Sequence, residues 1–144
     1  MNPLLSGEYA TTIGILVARV TLGVMFLYSG YDKAIRIGTK NVALEFQRQL
    51  NKYSFPPFLF TLTAIYSAWV ELIGGVLLIA GLLKFVTLSA LGIDLLLVSI
   101  AFSLLDPIWD MKHVFPRLLL LLLLLFIPLQ QDVCSLDYML FFKS

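Results

Sequence analysis

The chain has 144 residues, 60% of them hydrophobic and only 13% charged, with a formal net charge of +1. Soluble domains carry about twice that charged share, so lipid is the solvent for most of this chain. No basic or acidic block suggests nucleic acid, and the single Cys134 and single His113 exclude an intrachain disulfide, a CxxC pair, a thiolate metal cage and bis-histidine haem ligation.

Met1 to Thr12 contains no lysine or arginine. The apolar run that follows, about residues 12–31, contains Arg19 and outlasts a signal peptide, so it reads as a retained membrane helix. Between about residues 34 and 51, Val42, Leu44, Phe46 and Leu50 alternate with Lys40, Glu45, Arg48 and Gln49. That pattern fits either a short amphipathic helix on the membrane surface or a solvated loop.

Pro56-Pro57 break the chain before a second apolar run, about residues 58–83, with Glu71 near its middle. A third run, about residues 85–105, is centred close to Asp94 and stops at Asp106-Pro107. The connection to Pro116 has interfacial character, because Trp109 and Phe115 flank Asp110, Lys112 and His113. The fourth helix, about residues 115–130, includes eight consecutive leucines, Leu118 to Leu125. Having no small residue for close approach, it belongs at the lipid-facing edge, with Arg117 snorkelling to the interface. Beyond Pro128 the tail returns to the interface on Tyr138, Phe141 and Phe142. The expectation is an all-α integral membrane bundle of four transmembrane helices, with a short amphipathic segment between the first two and one domain over residues 1–144.

Arg19, Glu71 and Asp94 each lie near the midpoint of a different helix, which predicts one transverse layer. A charge alone at the bilayer centre costs roughly 2.5–3.5 kcal/mol, so the three should pair with one another or line a wet cavity. Their faces fit: Arg19 shares a side with Gly23, Phe26 and Gly30, Glu71 with Ser67, Gly74, Gly75 and Leu78, and Asp94 with Thr87, Ala90 and Ala101. One arginine against two carboxylates leaves a negative charge over, so Glu71 or Asp94 is expected to hold a proton at neutral pH. Such a layer either exchanges protons or is a permanent ion cluster that sets helix register. No metal site is expected.

Tyr28, Tyr31, Lys33 and Arg36 follow the exit of the first helix, while Tyr66 and Trp69 lie within the second. Aromatic and cationic groups suit stacking on a quinone head and bonding to its carbonyls. For Tyr31 and Lys33 an aromatic belt with a snorkelling lysine fits equally well. His113 is the weaker candidate, since a lone interfacial histidine is usually solvated.

The segment VARVTLGVMFLYSGYDKAI, with Arg19, Leu22-Gly23, Gly30 and Lys33, resembles the opening signature of the DoxX family. WVELIGGVLLIAGLL, with Glu71, Gly74, Gly75 and Gly81, is similar to that family's second helix, and MKHVFPRLLLLL to the approach to its fourth. Ser135 to Asp137 match its terminal serine-leucine-aspartate. The tail departs from the pattern, reading QQDVC where relatives carry a glycine-rich turn.

The resemblance implies a multi-pass protein of the bacterial inner membrane. Some relatives are the small membrane subunit of a thiosulfate:quinone oxidoreductase, and others accompany redox or thiol-stress proteins. The leading expectation is a quinone-interacting subunit that takes electrons from a partner. In it Arg19, Glu71 and Asp94 form the buried layer, and Lys33, Tyr28, Tyr31 and Trp69 place the quinone. The rival is a non-catalytic accessory or anchoring subunit of a larger membrane complex; a small transporter stands third. Lys33, Arg36, Lys40, Arg48, Lys52, Lys112 and Arg117 fall on one side and Lys84 and Lys143 on the other, which by the positive-inside rule puts both termini outside.

Overall fold

The computed structural model describes residues 7–105, 112 and 114–142; among them every regular element is helical. Helix α1 (Gly7–Tyr31) runs on into a single π-helical turn, Asp32–Arg36, in which the Ile37 N–H reaches back to the Asp32 carbonyl at 2.8 Å. Gly38 then takes φ +85°, a conformation open to glycine but rarely to other residues, and the chain redirects into α2 (Thr39–Gln49). Helix α3 (Pro57–Ala80) opens with proline in its first turn, where the missing N–H would have had no helical partner anyway. It closes on Gly81 at φ +72°, with the Gly81 and Leu82 N–H groups folded back on the Leu78 and Leu77 carbonyls. Helices α4 (Lys84–Leu105), α5 (Phe115–Phe126) and α6 (Leu136–Phe142) follow, with a 3₁₀ turn at Leu129–Gln131.

Three stretches, Tyr9–Arg36, Pro57–Ala80 and Lys84–Leu104, are long and apolar enough to cross a bilayer, and Phe115–Phe126 is a shorter apolar helix. Together they make the four-helix membrane bundle that composition predicts. Ile13, Leu62, Ile73, Leu96, Ile100 and Leu119 are each more than half exposed, an outer surface that only lipid can cover. The core is Leu22 and Phe26 of α1, Leu78 of α3, Leu88, Leu91 and Leu95 of α4, and Leu121 and Leu124 of α5. The leucine helix therefore buries one stripe and turns the rest outward, as expected of an edge helix.

Helix α2 is amphipathic, as one of the two readings held. Its apolar face is covered by protein: Val42 and Ala43, with Leu50 just past the helix end, pack on Phe60 and Ala64 of α3. Helix α1 runs antiparallel to α3, and glycines set the approach. A Cβ on Gly30 would run into the backbone of Leu72, one on Gly75 into Leu27, and one on Gly23 into Ile79. Read as a register, these contacts place Arg19 at the C-terminal end of α3 and Gly30 beside Glu71.

Candidate functional site

The buried charges gather in two groups. Glu71, 1% exposed, lies one helical turn from Gly75, which brings α1 close. Lys33, carried by the π-helical turn, places its Nζ 2.9 Å from Glu71 Oε2 and donates to Ser67 Oγ at 2.8 Å. From the first turn of α5, Arg117 sets Nη1 3.6 Å from Glu71 Oε1 and 3.4 Å from Ser29 Oγ, with its guanidinium over the Phe26 ring at 5.5 Å. One carboxylate thus ties together α1, α3 and α5. Asp94 of α4 is fully buried and faces Glu71, Ser67 and Lys33. Among the described residues neither Asp94 oxygen has a hydrogen-bond or ion-pair partner, whereas Glu71 Oε2 keeps the Lys33 ammonium beside it. Tyr66 closes this group by donating its hydroxyl to the Ala90 carbonyl at 3.1 Å.

The second group lies at the end of α3. Arg19 Nη1 donates to the carbonyls of Leu78 (3.1 Å) and Ile79 (3.4 Å), and Nη2 to that of Cys134 (3.0 Å). A cation there also meets the negative end of the α3 dipole. Asp132 Oδ2 is 3.4 Å from Arg19 Nε and 3.6 Å from Lys84 Nζ, all three side chains being at most 3% exposed. Asp137 accepts from the Leu83 N–H at 2.9 Å and the Lys84 N–H at 2.8 Å, capping the start of α4. Ser135 caps α6 by accepting from the Tyr138 N–H at 3.1 Å.

The expected single layer is therefore corrected. Glu71 and Asp94 come together, but Arg19 is turned to Asp132, because the glycine register staggers α1 against α3. Arg117 does not snorkel; it turns inward to Glu71. The tail supplies two buried carboxylates instead of merely resting at the interface. Of the residues expected to hold a quinone, only Lys33 reaches the Glu71 group. Tyr28 (69% exposed), Tyr31 (46%) and Trp69 (49%) face outward, Trp69 onto a shallow apolar groove of about 180 Å³ beside Val70, Ile73 and Leu77. His113 and Trp109 lie outside the described residues. Sequence reasoning missed Arg117, Lys84, Asp132 and Asp137 as partners. The serine-leucine-aspartate of the tail was the one available signal for Asp137.

No curated protein and no solved structure matches this chain. A family description does match: methylamine utilisation protein MauE, over residues 11–105. That finding overturns the DoxX assignment. Arg19, Glu71 and the glycines that carried it are placed here by helix packing and tail docking, requirements that any close-packed membrane bundle can share. The match runs from the first turns of α1 to the end of α4, about two-thirds of the chain, and the chain belongs to the MauE family.

Proposed function

We propose that this protein is a membrane accessory component of a redox-linked system for methylamine or a related amine, resident in the bacterial inner membrane. The observation that carries this reading is the family match over α1 to α4. The use of the buried charges supports it: Lys33 and Arg117 are engaged by Glu71, and Arg19 and Lys84 by Asp132. Charged groups in these roles hold helices and tail in register, while a partner protein supplies the redox chemistry. Deleting the gene should abolish growth on methylamine while leaving growth on an unrelated nitrogen source intact, with recovery on re-expression. Unchanged growth on methylamine would defeat the proposal.

Quinone binding is the second reading, favoured by one observation: the Lys33 side chain is about one-fifth exposed and its ammonium stands beside a buried acid pair. Because Tyr28, Tyr31 and Trp69 face away, the head would rest on Lys33 alone. Purification in mild detergent and extraction for mass spectrometry tests it. Stoichiometric quinone, lost in Glu71→Gln, supports the reading, and quinone at background level rejects it.

A further inference from the structure

We propose that Asp94 and Glu71 form a proton-binding site within the membrane span, one proton being held between the two carboxyl groups and loaded from Lys33 through Ser67. This goes beyond the accessory reading and does not depend on it.

Both cations of the mid-bundle group contact Glu71, and none of the ion pairs among the described residues includes Asp94. Asp94 is nonetheless fully enclosed, with both oxygens lacking a hydrogen-bond partner among the described residues. A buried carboxylate with no cation paired to it and a second carboxylate facing it is unfavourable as an anion, and a proton relieves both conditions. The carboxylate facing it is Glu71, whose oxygens already stand beside Lys33 and Arg117. A single proton on Asp94 turns two facing acceptors into a donor and its acceptor, and two like charges into one, while Glu71 keeps its two cations. The groups around the pair are Ser67, Glu71 and Tyr66 from α3, Lys33 from the turn after α1, and Arg117 from α5. Tyr66 is committed to the Ala90 carbonyl and Arg117 to Glu71 and Ser29, which leaves the Lys33–Ser67 pair as the route.

The route is short. Lys33 already donates to Ser67 Oγ, and Ser67 faces Asp94. In the loading step an N–H bond of the Lys33 ammonium breaks as a new O–H bond forms on Ser67. Ser67 gives its own proton to Asp94, leaving a neutral amine, an unchanged hydroxyl and a carboxylic acid. The amine regains a proton from its exposed side. No electron is transferred and no co-reactant is required.

Infrared difference spectroscopy on the full chain in lipid nanodiscs tests this. At neutral pH the wild type should show the carbonyl band of a protonated carboxylic acid. The band should be missing in Asp94→Asn and displaced, though present, in Glu71→Gln. On transfer to heavy water the band should exchange several-fold more slowly in Ser67→Ala than in wild type. Absence of the band in wild type, or its survival in Asp94→Asn, overturns the site; an unchanged exchange rate in Ser67→Ala overturns the route. Should Asp94→Asn fail to fold, Asp94→Glu serves instead: a shifted band supports the assignment and an unshifted one overturns it.

Discussion

At the residue scale, the buried charges other than Asp94 are explained by what they touch. Arg19 binds two carbonyls at the end of α3, one carbonyl of the tail and the Asp132 carboxylate. Removing one member of a buried ion pair costs about 3–5 kcal/mol, because the partner is left uncompensated. Arg19→Gln should fall at the lower end of that range, since Lys84 stays beside Asp132, and thermal melting in detergent would show it. Lys is no substitute: a single ammonium cannot reach three carbonyls and a carboxylate from one planar fork, so Arg19→Lys should recover less than half of the lost stability. That a charge inside an apolar run must find a partner is legible in the sequence. Which partner it finds is not, because the midpoint of a helix in sequence says nothing of how that helix is staggered against its neighbour.

At the element scale, α1 and α3 are held by backbone approach. Without a hydrophobic drive between helices in lipid, contact depends on small residues at the seam. Gly30→Ala should separate the pair, as its methyl would meet the Leu72 backbone, which cannot yield as a side chain can. A loss of about 1–3 kcal/mol is expected. Gly14→Ala, with nothing within 4 Å of the new methyl, should be neutral, and melting the two variants side by side checks both. The turn between α3 and α4 shows a different economy. Leu83 sits at φ +50°, a left-handed conformation costing a non-glycine residue roughly 1–2 kcal/mol. Asp137 offsets this by accepting from the Leu83 and Lys84 N–H groups. Asp137→Ala should therefore speed amide hydrogen exchange at those two residues and cost about 1–2 kcal/mol.

For the whole molecule, the contacts revise how orientation is counted. Lys33, Arg117 and Lys84 are engaged inside the bundle, so they no longer count as loop charges. Among described residues the basic loop charges left are Arg36, Lys40, Arg48, Lys52 and Lys112, all on one side. The rule still places the α2 side in the cytoplasm and the tail outside. Cys134, the single cysteine, is exposed in that tail and reports on it directly. A membrane-impermeant maleimide should label it in right-side-out vesicles but not in inside-out ones, and the reverse pattern would invert the topology.

Composition and apolar run length alone determined that the chain lives in lipid and roughly where its long apolar helices lie, since an 18-residue apolar stretch has few other ways to satisfy its backbone; the tail helix and the helical state of Thr39–Gln49 were not legible there. The same patterns singled out Glu71 and Asp94, because a charge within such a stretch is conspicuous. Tertiary structure alone decided that Arg19 leaves that pair, that Arg117 joins it, and that the tail supplies Asp132 and Asp137. These outcomes depend on the glycine-set stagger of α1 against α3 and on a chain end folding back over a helix terminus. Both are long-range contacts that no local spacing of residues records.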